Sequence, residues 1–410
     1  MTVTAADISA AAAAIAGSVI RTPSVDLEPL AALLPVERLV GKLENLQLSG
    51  SFKARGALVR LLALSADERA RGIVAMSAGN HAQGVALHAA RLGIPATIVM
   101  PERTPFTKVE RTQALGASVV LQGENLSEAE NHARALGAAN GLSFIHPYDD
   151  PAIVAGQGTV ALEMLADHPD LDMLVVPVGG GGLIAGIAIA AKAIKPAIQI
   201  VGVQAVAYAT MVRLPIPHAF PPASVHTLAE GIAVKRPGGL TKPLIEQWVD
   251  DVVSVEETGI ERAVELLVER QKLVVEGAGA APLAAMLAEP ERFRRRKVGM
   301  VVSGGNIDNR LLASILMRGL VRAGRLARLR IEISDAPGTL GKVADVIGAN
   351  GGNILEVYHQ RLFQDVPVKY AELDVVVEAT DTTHLRAIIA ALSAAGYPAR
   401  LLGSSAAMPE

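Results

Sequence analysis

Cysteine is absent from all 410 residues. That excludes disulfides, thiolate zinc sites, iron–sulfur clusters and cysteine nucleophiles together. It also fits a reducing compartment such as the cytoplasm. Aromatic residues are scarce, at 3% against 50% hydrophobic overall, so the interior must be built from Ala, Val, Ile and Leu. Neither charge sign dominates. A net charge of -3 gives no general attraction to nucleic acid or to an acidic membrane surface. Long apolar runs are missing too. The stretch from Met173 to Ala191 carries no charge for 19 residues, but Pro177 and the four glycines Gly179–Gly182 interrupt it. It reads as strand, glycine loop and helix, not as a membrane span. The N-terminus has no Lys or Arg before Arg21, and Asp7 breaks its apolar stretch, so it does not resemble a signal peptide. Thr4 and Asp7 are instead spaced as a helix-start box. With 38 Gly and 23 Pro in regular punctuation, a packed globular chain is expected and a coiled coil is not.

From about residue 70 one unit recurs: a short aliphatic run, a loop, then an amphipathic helix. The runs are Gly72–Met76, Ala96–Met100, Ser118–Leu121, Leu174–Val178, Ile198–Val203 and Val298–Val302. Continuous aliphatic strands alternating with helices imply parallel sheets covered on both faces. Ligands of such folds bind at loops leaving the carboxyl ends of strands. Near residue 321 the character changes. Arg318, Arg322, Arg325, Arg328 and Arg330 crowd a stretch that reads as a solvated connector or the end of an interface helix. Beyond it the pattern is strand Leu329–Ser334, helix from Pro337 to Asn350, strands Asn353–Arg361 and Ala371–Ala379, helix Asp381–Ala395 and strand Pro398–Leu402. That βαββαβ order is ferredoxin-like, and it places a domain boundary at about 325.

Four loops carry residues suited to chemistry. In Ser49-Gly50-Ser51-Phe52-Lys53-Ala54-Arg55-Gly56 a lysine sits among small and apolar residues. Desolvation there lowers an amine's pKa and makes it a Schiff-base candidate, although most lysines are simply exposed. Ser77-Ala78-Gly79-Asn80-His81 follows a strand and opens a helix. It is either an anion-binding helix start or a plain capped turn. Gly179-Gly180-Gly181-Gly182-Leu183 again joins strand to helix, and its bare amides suit a phosphate. It lacks a P-loop's GK[ST] ending and a dinucleotide fingerprint's spacing, so one phosphate is the better inference. Ser303-Gly304-Gly305-Asn306 ends a buried strand. Ser303 there offers one hydrogen bond to a ligand nitrogen or caps the next helix.

Taken together, an imine lysine, a phosphate cradle, an anion loop and a strand-end serine describe pyridoxal phosphate and an amino-acid carboxylate. The four blocks, in this order over residues 5–320, resemble fold type II pyridoxal-phosphate enzymes of the threonine dehydratase, serine dehydratase and serine racemase group. The tail containing Asp335-Ala336-Pro337-Gly338-Thr339-Leu340 resembles an ACT regulatory domain. The order of the two resembles a threonine ammonia-lyase with a single ACT domain. The resemblance implies an α/β protein with two parallel-sheet lobes in a catalytic region at 1–324. The smaller lobe lies at about 48–147, and an ACT-like domain follows at 325–410. It implies that Lys53 holds the cofactor as an imine with Phe52 flanking the ring, and that Asn80 bonds the ring 3-hydroxyl. Ser77, Gly79, Asn80 and His81 would surround the substrate carboxylate, Gly179, Gly180, Gly181, Gly182 and Leu183 would cradle the phosphate, and Ser303 would face the pyridine nitrogen. Asp335, Gly338, Asn353 and Ile354 would form an effector pocket for a branched-chain amino acid. ACT relatives pair side by side, which implies a homo-oligomer, a tetramer or a dimer.

Two departures from the group are informative. Racemases carry a second serine where this chain has Ala78, and alanine does no acid–base work. Metal-dependent relatives carry an acid after the strand Ile198–Val203, where Gln204 stands here, so no metal site is expected. Glu230 and Glu276 lie in small-residue loops, either lining the pocket or serving as surface or capping residues. Two other readings stay open at this point. One is a serine dehydratase or racemase of the same fold. The other is a non-catalytic amino-acid sensor.

Overall fold

The computed structural model describes residues 2–212, 226–360 and 370–402. The chain divides into two compact units, Met1–Ile307 and Asp308–Glu410.

The first unit holds two sheets. The larger runs in the order Ser24–Asp26, Arg38–Leu43, Lys297–Val302, Met173–Pro177, Gln199–Ala205 and Asp251–Val255, antiparallel only at its first pair. The smaller is wholly parallel, in the order Ser118–Leu121, Ala96–Met100, Ile73–Met76 and Ser143–Phe144. The aliphatic runs therefore form strands, largely buried except for Ser118–Leu121 at the sheet edge. The N-terminal helix Ala5–Ile15 is closed by the Thr4/Asp7 box. One helix crossing fixes the position of the lysine-bearing loop. Helix Lys53–Leu62 packs against helix Pro151–Asp167 through Gly56 and Gly156. A Cβ on Gly156 would lie 2.6 Å from the Gly56 Cα, so neither position tolerates a side chain. Just beside that crossing lies a cluster of two cations and two anions. Arg55 pairs with Glu44 at 2.8 Å and with Glu163 at 2.6 Å, and Lys42 pairs with Glu163 at 2.6 Å.

The second unit contains helix Asn309–Arg322 and an antiparallel sheet in the order Asn353–Gln360, Tyr370–Glu378, Leu326–Ser334 and Ala399–Leu402. This is the ferredoxin-like arrangement, with helices Thr339–Ala349 and Thr382–Ala394 supplying its core. Three details differ from the sequence reading. The division falls at Ile307/Asp308 and not near 325, because the arginine-bearing helix belongs with the second unit. The supposed connector is strand from Leu326 onward, with Arg328 and Arg330 alternating with buried Ala327, Leu329 and Ile331. Arg330 reaches Asp374 at 2.7 Å on the neighbouring strand. The helix expected from Pro337 starts at Thr339, since its N-cap Gly338 has φ +84° and leaves Pro337 outside. Arg361, the expected end of one strand, lies outside the described residues.

Candidate active site

The site assembles from strand-end loops of the first unit. Backbone bonds knit the segment Gly50–Lys53 to the segment Ser303–Gly305. The Phe52 N–H donates to the Ser303 carbonyl at 3.1 Å, the Gly305 N–H donates to the Gly50 carbonyl at 2.9 Å, and Ser51 and Gly304 form an antiparallel bridge. Ser303 is buried beside this seam. Lys53 opens its helix, donates from Nζ to the Pro147 carbonyl at 2.6 Å, and holds Nζ 5.2 Å from the Phe52 ring centroid. Burial pushes this amine down to about 8, against an opposing pull from Glu276. An amine tuned this way supplies the neutral form that a nucleophile or base needs near neutral pH.

The second loop is the start of helix Asn80–Arg91, with Gly79 as N-cap. The Ser77 hydroxyl oxygen accepts the Gly79 N–H at 3.1 Å, fixing the turn. His81 is buried, and its Nε2 lies 3.0 Å from the Ile145 carbonyl, so Nε2 carries the proton. Its Nδ1 is then a buried acceptor with no partner. Burial, aided by the nearby Lys53 charge, pushes His81 down to about 3, and the ring stays neutral. Asn80 donates from Nδ2 to Glu276 Oε1 at 2.7 Å and accepts at Oδ1 from Asn306 Nδ2 at 2.8 Å. Asn306 Nδ2 also donates to the Ser49 carbonyl at 2.8 Å.

The glycine loop leads into helix Gly182–Ile194, whose N-cap Gly181 has φ +97°. The amides of that first turn have no intrahelical partner and carry the helix's positive end. Gly180 must be bare, because a Cβ there would stand 2.2 Å from Tyr148 Cγ. Thr241 Oγ1 donates to the Gly180 carbonyl at 2.6 Å. The Asp149 carboxylate accepts the N–H groups of Gly239, Leu240 and Thr241 at 2.9, 2.9 and 3.1 Å. A single segment, Pro147–Asp149, therefore touches the lysine amine, the glycine loop and the wall behind it.

The structure brings Phe52, Lys53, Asn80, His81 and Ser303 into one connected neighbourhood, with Gly179–Leu183 joined to it through Tyr148. Glu230 and Glu276, left open by the sequence, separate clearly. Glu276 is the N-cap of helix Gly277–Ala288, yet its side chain does not cap that helix and bonds Asn80 instead. Desolvation pushes it up to about 7, partly opposed by the Asn80 hydrogen bond. Glu230 is exposed and pairs with Lys108 at 2.5 Å. Gln204 is buried and spends its amide on the following loop, with Oε1 accepting the Met211 N–H at 2.8 Å. Among the described residues no three His, Asp or Glu side chains are arranged to hold a metal ion, and no helix is long and apolar enough to cross a membrane. Sequence reasoning missed Pro147, Tyr148 and Asp149, whose signal was weak because they follow a strand of only two residues, Ser143–Phe144.

The expected regulatory residues lie in the second unit, at two separate places. Asp335 and Gly338 follow the strand end at Ser334, which pairs with Tyr370, whereas Asn353 pairs with Glu378 at the other end of the same neighbouring strand. Eight residue steps at about 3.4 Å put these ends roughly 27 Å apart. Asn353 Nδ2 donates to Glu378 at 3.2 Å, and Ile354 packs on the unit's core. One copy of the chain therefore does not close the four residues into a single pocket.

A lysine-bearing loop, a glycine cradle and a strand-end serine at the edges of parallel strands define a cofactor-dependent enzyme. The family described as pyridoxal-phosphate dependent enzyme matches residues 15–304, and the chain belongs to it. Its cofactor is pyridoxal phosphate, and its catalytic fold is the two-lobed type II architecture. The chain is 44% identical over 363 residues to L-threonine ammonia-lyase of Thermotoga maritima, covering 88% of this chain and 90% of that protein. Among solved structures, the processed threonine deaminase isoform 2 of Solanum lycopersicum superposes with TM-score 0.70 at 36% identity, covering 76% of this chain and 86% of that one. Maize serine racemase gives TM-score 0.70 at 34% identity, covering 78% of this chain and 99% of that one. The residues present fit the cofactor. The desolvated Lys53 amine suits a carbonyl partner, and the unspent amides at Gly181–Leu183 suit a phosphate.

Proposed function

We propose that the protein is a threonine ammonia-lyase: it converts L-threonine, and also L-serine, to 2-oxobutanoate or pyruvate with release of ammonia. The observation that carries this reading is the desolvated Lys53 amine, linked through Glu276 to a helix start at Asn80 that suits an anion. Identity to the Thermotoga maritima L-threonine ammonia-lyase extends over more of the chain than the 15–304 family match, so it includes part of the second unit. Pyridoxal phosphate, when bound, supplies an electron sink that acidifies the α-hydrogen of an amino acid. Lys53 would hold it, be released when the substrate's amine takes its place, and with the freed amine take that α-proton. The turn Ser77–His81 receives the substrate carboxylate through the Ser77 hydroxyl and the backbone N–H groups that open the helix at Asn80 and His81, with Gly79 leaving room for it, and the amides of Gly179–Leu183 receive the phosphate. Ser303 offers the ring nitrogen a neutral hydroxyl where a carboxylate would hold it protonated. That favours prompt loss of the β-hydroxyl as water over transamination. The enamine product then hydrolyses to the 2-oxo acid and ammonia. Ala78 leaves the opposite face of Cα without a hydroxyl, which disfavours racemisation.

The ferredoxin-like unit is read as an amino-acid sensor of the ACT type that also joins copies into a homo-oligomer, a dimer or a tetramer. Its strand Asn353–Gln360 is an edge of the described sheet and exposes Leu355, Val357 and Tyr358. Antiparallel pairing of that edge with a second copy would set Asn353 of one chain beside the Asp335–Gly338 end of the other. The effector site then forms between copies, which accommodates the separation seen within one chain. A branched-chain amino acid is the logical effector, since threonine deamination leads towards isoleucine, and a cytoplasmic setting follows. Steady-state kinetics with threonine and serine, with and without isoleucine and valine, tests both parts. Isoleucine or valine should shift the rate curve of the full chain and leave a chain cut near 325 unaffected. Absence of 2-oxo acid from either substrate would refute the activity, and absence of any branched-chain response would refute the sensing.

A further inference from the structure

The side-chain amide of Asn80 is gripped from both ends. Asn306 donates to its oxygen at 2.8 Å, Glu276 accepts from its nitrogen at 2.7 Å, and one N–H is left unspent. Neither partner is otherwise idle. Asn306 Nδ2 reaches on to the Ser49 carbonyl in the loop that precedes Lys53, and the Glu276 backbone N–H donates to the Gly304 carbonyl at 3.1 Å. The three segments are packed closely here: a Cβ on Gly304 would stand 2.6 Å from Glu276 Oε1 and 3.2 Å from Asn80 Nδ2. An amide that can flip presents either a donor or an acceptor to its ligand. A ligand oxygen such as the cofactor's ring hydroxyl needs the donor.

We infer that Glu276 and Asn306 are positioning residues that fix which way round the Asn80 amide is held, so that its remaining N–H meets the bound cofactor. This rests on the reading that places pyridoxal phosphate against Asn80. An ionised Glu276 accepts only, so it holds the Asn80 nitrogen towards itself. A protonated Glu276 can also donate, so it no longer enforces this orientation and the Asn306 bond alone holds the amide. The charged groups facing Glu276 are Lys53 from the lysine-bearing helix, Lys108 from helix Phe106–Ala114 and Glu230 from the turn Glu230–Ile232. The two lysines favour the carboxylate, and Glu230 and the desolvating walls favour the acid, leaving the group poised near 7. The clamp is therefore tight above neutrality and loosens below it.

The test is a spectroscopic pH titration of the loaded holoenzyme between about pH 6 and 8, with cofactor affinity measured in parallel by equilibrium dialysis. Wild type should show a step in its visible band near neutrality, with weaker cofactor binding on the acid side. Glu276→Gln, which cannot ionise, should keep the band and lose the step. Asn306→Ala should weaken cofactor affinity about tenfold, the scale of one lost buried hydrogen bond, while keeping the step. Persistence of the same step in Glu276→Gln, with thermal unfolding of the apoprotein unchanged, would overturn the inference, as would undiminished affinity in Asn306→Ala. A wild-type protein that shows no visible band with added cofactor would instead refute the cofactor reading itself.

Discussion

Replacing Arg55 with Met probes the buried ion cluster that anchors the helix carrying Lys53. The guanidinium and Glu44 are both fully buried, and Glu163 is 19% exposed. Arg55 bonds Glu44 through Nε at 2.9 Å and Nη2 at 2.8 Å, and it bonds Glu163 through Nη1 at 2.6 Å and Nη2 at 2.8 Å. With Arg55 the cluster is neutral. Without it, Lys42 alone faces two carboxylates. Breaking one partner out of a buried pair typically costs about 3–5 kcal/mol, because a charge stays behind in a poorly solvating site. For a unit of this size that is a fall on the order of 10 °C in unfolding temperature. The sign of the pH dependence also follows. Burial pushes the Glu163 carboxyl up, but Arg55 and Lys42 more than offset this and hold it below its ordinary value. Such a group contributes stability that is present above its unfolded pKa and lost as pH falls through its folded one. The variant lacks most of that contribution, so its deficit should be largest at neutral pH and shrink as pH drops through the carboxylate range. Chemical denaturation of both proteins at pH 7 and pH 4 reads this directly. The double variant Arg55→Met with Glu44→Gln should recover part of the loss. An Arg55→Met protein within 1 kcal/mol of wild type, a bound chosen well under the expected loss, would refute the reasoning.

Lys53→Met should raise the stability of the apoprotein at pH 7, because wild type holds an amine whose folded pKa of about 8 lies below its ordinary 10.5. The folded wild type binds fewer protons than the unfolded chain between those values, so its stability rises with pH there, and the variant's advantage should fade over that window; a constant advantage up to pH 10.5 would contradict this. Gly180→Ala forces a methyl into the Tyr148 ring and should cost about 1–3 kcal/mol of overpacking. Fluorescence titration should show weakened cofactor binding, relieved when Tyr148 is also shortened, and wild-type affinity in the single variant would count against the cradle. Ser303→Asp should lower 2-oxo acid formation and raise abortive transamination, followed as loss of activity during turnover; an unchanged partition would argue against Ser303 facing the ring nitrogen.

Much of the fold was legible because the buried strands are continuous aliphatic runs: Ala96–Met100 begins and ends where the alternation of run and loop suggests, and the same alternation marks the edge strand Ser118–Leu121 although none of its residues is buried. Edge strands were harder. Asp251–Val255 starts on a charged residue and has only one neighbour, so nothing in its pattern marks it. The strand read from Leu329 begins at Leu326: the arginines disguised its start because one face of that sheet carries ion pairs, and counting charge hid the period of two there. In the site, the four motif loops were visible because glycine, lysine and serine at strand ends are chemically specific. Tyr148 and Asp149 were not, since their roles depend on contacts with Gly180 and with Gly239–Thr241, which no local spacing encodes. Glu276 was noticed as an acid among small residues, but only its 2.7 Å bond to Asn80 separates it from a helix cap.

Reduction of the cofactor-loaded protein with borohydride, followed by peptide mass mapping, tests the central claim most directly. If Lys53 holds the cofactor, the visible band should disappear on reduction. One phosphopyridoxyl group should then be found on the peptide containing Ser51-Phe52-Lys53, and none on a Lys53→Ala protein, which should also form no 2-oxobutanoate from threonine. Label on Lys42, Lys108 or any other lysine, or threonine turnover surviving in Lys53→Ala, would contradict the account.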